Sequence, residues 1–340
     1  MTILSIVILT ATAFVASAWF TRYFCNPASF AYVLDHPNER SLHLSPVPRG
    51  GGLAILIAIF VCGAAVAWIN SALGLAGIAS GVLLVAAVSF LDDRYTVPPL
   101  YRLLAHAAAA STILYSGLVL QRFEIPGASL DWPYSAGVVF SMLFAVWMIN
   151  LYNFMDGMDG FAGGMAAFGF GTFAAMGWMV GHSLFLTVNM IIAAAAAGFL
   201  IFNFPPARIF MGDIGSSVLG MLTASLSLWG ARDGVFPFWV AILVFSPFVV
   251  DATVTLIRRL LRGERIWQAH KTHYYQRLVQ LGWGHRKTAL WEYGLMLACA
   301  VSATWAVRQT ATIQWGVICF WVVMYVLLMV LVSRLEARSR

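Results

Sequence analysis

Apolar runs long enough to cross a bilayer recur from one end of this chain to the other, and no other feature limits its fold as tightly. A hydrocarbon core about 30 Å thick needs roughly 20 apolar residues per helix. Within that core every backbone amide must be satisfied internally, which leaves helices or closed barrels. Hydropathy divides the 340 residues into about eleven helical segments, at roughly 3–22, 51–70, 72–91, 99–120, 135–155, 160–181, 184–204, 214–230, 236–257, 289–308 and 311–333. Composition agrees, with 61% hydrophobic and only 10% charged residues, against about 25% charged in soluble domains. The expected fold is an all-α polytopic membrane protein with about 11 transmembrane helices, forming one integral-membrane domain over residues 1–340. The segments between spans are too short to build a second domain. Gly- and Ala-rich stretches such as Ala193 to Gly198 read as sites of close helix packing. No internal repeat of the kind that marks an inverted-repeat transporter is evident.

Orientation follows from charge. The first apolar run lacks a basic leader, and its first basic residue, Arg22, comes after it, so it reads as a retained span with the N-terminus outside. Alternating from there places 17 of the 20 Lys and Arg residues inside and leaves Arg122, Arg232 and Arg308 outside, as the positive-inside rule requires. The inside segments are then about 23–50, 92–98, 153–160, 205–213 and 258–288, and the C-terminus is also inside. The net charge of +6 is explained by these juxtamembrane loops and their anionic lipid surroundings. No aromatic–basic motif points to nucleic acid. The four cysteines, Cys25, Cys62, Cys299 and Cys319, have no paired spacing and predict neither disulfides nor a zinc site. The outside stretch 121–134, with Pro126-Gly127 at its middle, predicts a short hairpin without chemistry.

The polar residues that interrupt this apolar background fall into five strings on the inside. Asp92-Asp93 ends the third segment; adjacent carboxylates at a membrane edge are paired, cation-bound or simply a solvated helix end. In the string from Asn150 to Gly160, Asn150 and Asn153, and then Asp156 and Asp159, stand three residues apart, a spacing that shares a helix face. The string Arg208 to Ser217 places Asp213 and a Ser pair at a helix start, where they serve as caps or hold a metal and a phosphate. His270 and His273 stand among Arg and Lys in the longest inside loop, suited to a phosphate-bearing ligand or to an anionic membrane surface. Arg49 leads into Gly50-Gly51-Gly52, a backbone able to cradle phosphate although it lacks P-loop spacing. Asp251, inside the ninth segment after Pro247, either pairs with a nearby arginine or lines the site. Carboxylates suit a hard cation such as Mg2+. Together with basic groups at one face they point to phosphoryl transfer on a lipid phosphate.

The strings LDDR at 91–94, NLYNFMDGMDG at 150–160, FMGDIGSS at 210–217 and the His270–His273 pair resemble, in order and spacing over nearly the whole chain, the polyprenyl-phosphate N-acetylhexosamine-1-phosphate transferases, glycosyl transferase family four. That superfamily includes the enzymes that start O-antigen and the phospho-MurNAc-pentapeptide translocase. The resemblance implies a multi-pass protein of the bacterial inner membrane, with a periplasmic N-terminus and a cytoplasmic active site. In the implied reaction undecaprenyl phosphate attacks the β-phosphate of a UDP-N-acetylhexosamine, and UMP leaves. Mg2+ is the implied cofactor, with Mn2+ as a substitute, and a homodimer the implied assembly.

By motif, Asp92, Asp93, Asp156 and Asp159 are the implied catalytic carboxylates, the first two acting on the lipid phosphate. Asp213, with Asp156, is the implied metal ligand. Asn150, Asn153, His270, His273 and Arg277 are implied to bind substrate. The family's early lysine is absent, so Arg49 or His43 stands in its place. HKTH at 270–273 replaces the three-histidine run of the peptidoglycan branch, which disfavours a MurNAc-pentapeptide substrate. PRGGG at 48–52 and HKTHYYQRL at 270–278 resemble the O-antigen-initiating members, whose sugars are often 6-deoxy N-acetylhexosamines. The competing readings are a lipid or nucleotide-sugar transporter, which predicts polar groups at mid-membrane rather than at one face, and a structural subunit, which has no use for three ligand-like aspartate strings.

Overall fold

The computed structural model describes residues 1–30, 32–37, 42, 45–70, 75–95, 97–265 and 270–339, with the backbone alone of Asn70. Each of the eleven expected segments holds a helix, although the fourth ends at Tyr115 rather than near 120 and residues 72–74 of the third lie outside the described residues. These helices are α1 (Ile3–Phe24), α2 (Gly51–Asn70), α3 (Leu75–Tyr95), α4 (Pro99–Tyr115), α5 (Tyr134–Phe154), α6 (Phe161–Met179), α7 (Ser183–Asn203), α8 (Gly212–Arg232), the pair α9 (Phe238–Val244) and α10 (Ser246–Leu261), then α12 (Gly284–Ala306) and α13 (Ala311–Ser339). A short α11 (Tyr274–Leu278), continued by a π-turn over Val279–Trp283, lies before α12.

The ninth segment corrects the expectation of one continuous helix, because α9 and α10 are bent by 82° at Phe245. Pro247 stands in the first turn of α10. There its missing N–H costs nothing, whereas within a continuous helix its ring would clash with the preceding turn. Among the described residues seven helices (α1, α2, α3, α5, α7, α8 and α13) are long and apolar enough to cross a membrane, and the bent pair makes an eighth. The remaining helices are shorter, richer in glycine or more polar at one end. Eleven helical segments and eleven spans are therefore different counts.

At the centre stands α8, whose residues Ile214 to Gly230 are all buried. Small residues make this approach possible. A Cβ on Gly220 would lie 2.5 Å from the Met148 carbonyl of α5, and one on Gly52 would lie 2.3 Å from Gly215 Cα. The hydroxyls of Thr223, Ser225 and Ser227 donate to carbonyls one turn back, so α8 carries them buried without an unpaired donor. The Ala193–Gly198 stretch packs as expected: Ser17 Oγ of α1 donates to the Ala195 carbonyl at 2.6 Å. The outward faces of α1 and α13 are apolar and exposed, Ile3, Leu4 and Val7 on one and Val322, Val323 and Leu327 on the other, the pattern a lipid solvent allows.

Among the described residues two antiparallel strand pairs decorate the bundle. β3 (Arg122–Ile125) pairs with β4 (Ala128–Asp131), forming the expected hairpin. β1 (Val33–Asp35) pairs with β2 (Val47–Arg49), which short polar stretches had not announced. Trp315 Nε1, near the start of α13, donates to the Pro126 carbonyl of the hairpin. Arg277 of α11 meets Glu336 near the far end of α13 at 2.6 Å. Thus α13 runs from the hairpin end of the bundle to the end where the acidic strings gather.

Candidate active site

The entry to α2 and the entry to α8 are zipped together by backbone. Phe210 N–H donates to the Pro48 carbonyl, Gly51 N–H to the Phe210 carbonyl at 3.0 Å and Gly52 N–H to the Met211 carbonyl at 2.8 Å. The Gly51 and Gly52 amides are thereby engaged by protein rather than open to a phosphate, and the glycines serve close packing instead. A Cβ on Gly51 would lie 2.2 Å from the Phe199 ring. This seam delivers Arg49 and Asp213 to the same place.

Asp93, at the end of α3, lies against the backbone N–H groups of Asp213 and Ile214 at the start of α8, where the helix dipole favours an anion. Gly212, at φ +75°, makes room for it: a Cβ there would be 3.2 Å from Asp93 Oδ2. Arg49 donates to the Asp93 carbonyl and stands 3.4 Å from Oδ1, which is buried without a hydrogen-bond partner. Asp92 accepts from Val97 N–H at 2.7 Å and pairs with Arg102 of α4 at 2.6 Å. Arg102 also lies 3.9 Å from Asp213. The Asp213 carboxyl meets the side chains of Asp92 and Asn153, and Asn153 Nδ2 donates to Ser217 Oγ at 3.2 Å. Asp156, in the turn between α5 and α6, faces Asp213, Asp93 and Asp159; burial and these three neighbours hold its carboxyl well above the ordinary range. Four carboxylates, Asp92, Asp93, Asp156 and Asp213, therefore converge against two guanidiniums, Arg49 and Arg102.

The other expected site residues surround this centre. Asp159 is turned to His285 Nδ1 at 3.0 Å and to the Ala207 N–H at 3.0 Å. Asn150 donates to the Val146 carbonyl and meets His106 of α4. His273 is buried, and its Nδ1 lies 3.2 Å from Asp251 Oδ1. The His270 ring lies 4.7 Å from that of His273, tilted by 33°, and is bonded to Thr272 Oγ1. Burial, with His273 and Arg259 beside it, lowers the pKa of His270 to about 4. Arg277 is committed to Glu336 and Ser333 and stacks over Tyr274. His43 lies outside the described residues.

Arg102, His106 and His285 were not singled out by motif. Arg102 and His106 stand four apart near the start of an otherwise apolar α4, a spacing that puts both on one face. That pattern was the available signal. His285 carries no comparable mark, because its partner Asp159 is 126 residues away.

The donor set has the oxygen chemistry that a hard divalent cation takes. All four acidic groups offer oxygen, and among the described residues they outnumber the adjacent cations and Asp93 Oδ1 is left without a donor. Among the described residues no group of three or more His, Cys, Asp or Glu side chains is placed to hold a metal ion by itself. Mg2+ needs none, since it is typically held by one or two carboxylates with substrate phosphates and water completing its octahedron.

A family model for glycosyl transferase family 4 matches residues 75–231, which span Asp92 to Asp213. The chain is 33% identical over 285 residues to a probable undecaprenyl-phosphate N-acetylglucosaminyl 1-phosphate transferase of Bacillus subtilis, an alignment covering 82% of this chain and 78% of the relative. It is 27% identical over 327 residues to the decaprenyl-phosphate N-acetylglucosaminephosphotransferase of Mycobacterium tuberculosis, covering 86% and 81%. It is 28% identical over 281 residues to the phospho-N-acetylmuramoyl-pentapeptide-transferase of Shouchella clausii, covering 75% and 82%. With its acidic strings assembled at one end of the bundle and two guanidiniums set among them, the chain belongs to glycosyl transferase family 4, the superfamily of polyprenyl-phosphate N-acetylhexosamine-1-phosphate transferases.

Proposed function

We propose that this protein transfers an N-acetylhexosamine 1-phosphate from a UDP-sugar to undecaprenyl phosphate, releasing UMP, at the cytoplasmic face of a bacterial inner membrane. The observation that carries this reading is the convergence of Asp92, Asp93, Asp156 and Asp213 on Arg49 and Arg102 at one end of a membrane bundle. An oxygen of the lipid phosphate attacks the β-phosphorus, the bond to the α-phosphate's bridging oxygen breaks, and UMP leaves with that oxygen. Arg102 and Arg49 supply the positive charge that draws the anionic groups together. Asp92 and Asp93 place the lipid phosphate; a phosphate monoester has largely lost its second proton near pH 7, so placement outweighs proton removal. Asp213 and Asp156 would hold Mg2+, which when bound neutralises charge on the diphosphate. His285 fixes Asp159 beside this centre.

The charge asymmetry of the loops supports a cytoplasmic site and a periplasmic hairpin. The sugar is an N-acetylhexosamine rather than MurNAc-pentapeptide on the strength of HKTH at 270–273. PRGGG at 48–52 and HKTHYYQRL at 270–278 support the narrower assignment to O-antigen initiation with a 6-deoxy sugar. Purified protein given undecaprenyl phosphate and a panel of UDP-N-acetylhexosamines tests both levels. Mass spectrometry of the lipid product is expected to show a diphosphate-linked sugar with an intact acetamido group. A product from UDP-MurNAc-pentapeptide alone sinks the sugar assignment, and folded Asp213→Ala protein releasing UMP normally sinks the role of Asp213.

A further inference from the structure

Asp251 sits near the bend between α9 and α10, apart from the acidic cluster, and the reaction as derived makes no use of it. Its carboxylate is nonetheless among the most fully engaged in the structure. Oδ1 accepts from Tyr274 N–H at 2.9 Å, Oδ2 accepts from Tyr275 N–H at 3.0 Å, and His273 Nδ1 stands 3.2 Å from Oδ1. Thr255 Oγ1, one turn along α10, donates to Oδ1 as well. The two amides are the first of α11, so Asp251 closes the N-terminus of that helix from a different helix. Gln276 Oε1 accepts from the His273 N–H and completes the turn.

The opposite side of α11 rests on the acidic centre. The hydroxyl of Tyr275, a fully buried side chain, donates to the Phe154 carbonyl at 3.3 Å. A Cβ on Gly157 would come 2.2 Å from that hydroxyl, so the turn carrying Asp156 and Gly157 is shaped around Tyr275. The Tyr275 ring also packs 4.7 Å from Phe161 at the start of α6. One continuous chain of contacts thus runs from the α9–α10 bend through Asp251 and α11 to the turn that presents Asp156.

We propose that Asp251 is a positioning residue for the donor side of the site. It holds His273 by Nδ1, leaving only Nε2 for a ligand, and it seats α11 so that Tyr275 sets the Asp156–Gly157 turn. The proposal rests on the reading of the protein as a UDP-sugar transferase for its kinetic consequence, but its structural consequence stands apart from that reading. A carboxylate offers two acceptor oxygens and a carboxamide one, so Asp251→Asn cannot hold both amides and His273 together.

The test uses the full-length protein in detergent, with Asp251→Asn and Tyr275→Phe beside the wild type. Hydrogen exchange is read at peptides covering 270–278 and 154–160, and KM is measured separately for UDP-N-acetylhexosamine and undecaprenyl phosphate. Asp251→Asn is expected to speed exchange in both peptides and raise KM for the UDP-sugar at least tenfold, with KM for the lipid phosphate within twofold. Tyr275→Phe keeps the ring packing and is expected to loosen 154–160 while 270–278 stays protected. Exchange that rises in 270–278 alone in Asp251→Asn, or a KM change shared equally by both substrates, overturns the proposal. If the wild type turns over no UDP-sugar while Asp251→Asn still loosens both peptides, the functional reading fails and the structural coupling is upheld. Should Asp251→Asn fail to fold, protection of 154–160 unchanged in Tyr275→Phe is by itself enough to overturn the coupling.

Discussion

Replacing Arg102 with methionine is expected to move two properties in opposite directions. The substitution keeps most of the side-chain volume and removes the cation that lies 2.6 Å from Asp92 and 3.9 Å from Asp213. Unit charges 4 Å apart at an effective dielectric of about 20 interact by roughly 4 kcal/mol. The Arg102 side chain is 28% exposed, so screening leaves about 1–2 kcal/mol of that at Asp213. Without it the carboxylates repel one another more strongly, and a divalent cation is bound about tenfold more tightly, since 1.4 kcal/mol is a factor of ten. An anionic substrate loses a charge-assisted hydrogen bond at the same time, about 1.5–3 kcal/mol, or roughly ten- to hundredfold in kcat/KM. Electron paramagnetic resonance titration with Mn2+ reads the first effect and initial rates of UMP release read the second. Cation binding that weakens or stays unchanged in folded Arg102→Met protein would refute the argument that Arg102 balances this acidic cluster.

Three further outcomes follow from the same geometry. Asp213→Ala is expected to cut UMP release by at least about a thousandfold, the scale for losing a principal electrostatic group, and to weaken Mn2+ binding in the same titration. Asp156, whose carboxyl is raised by burial and by Asp213, Asp93 and Asp159, contributes stability that is fully present below the ordinary carboxylate range and lost as pH rises through its raised value. Thermal unfolding without divalent cation should therefore fall with rising pH, and a slope unaffected by Mg2+ would contradict the assignment of Asp156 as a ligand. At the far end of the bundle, Asp233 accepts from Trp229 Nε1 and Arg232 Nε and meets His182 at 3.0 Å. Burial raises its pKa, but these three partners outweigh burial and hold it below the usual range. Its stabilisation is present above the ordinary carboxylate range and fades as pH falls through the lowered value. Asp233→Asn should cost about 1–2 kcal/mol of stability while the rate per folded molecule is unchanged.

The helices were legible because apolar length is the strongest pattern a sequence carries, but among the described residues only seven of them, or eight with the bent pair, are long and apolar enough to cross a membrane. Asp92, Asp93, Asp156 and Asp213 were legible because carboxylates in an apolar background have few structural uses. The break at Phe245 was less so: Pro247 was visible, but hydropathy runs straight through it, and only backbone geometry distinguishes a first-turn proline from a kink. The seam between Pro48–Gly52 and Phe210–Met211 joins backbone groups more than 150 residues apart and leaves no side-chain signature. Arg102, His285 and Asp251 became meaningful only when the fold supplied their partners. For Asp251 the sequence offers an arginine partner or a place lining the site; among the described residues its hydrogen bonds go to Tyr274 N–H, Tyr275 N–H, His273 and Thr255, so it caps α11.

The central claim is tested most directly by incubating the purified protein with undecaprenyl phosphate, a UDP-N-acetylhexosamine and Mg2+, and quantifying UMP together with the lipid product. UMP and a lipid diphosphate sugar are expected in equal amounts, both abolished by chelation of the cation and by Asp213→Ala. A folded protein that yields no UMP from any UDP-N-acetylhexosamine, or that moves the nucleotide sugar across vesicles without forming lipid product, would contradict it.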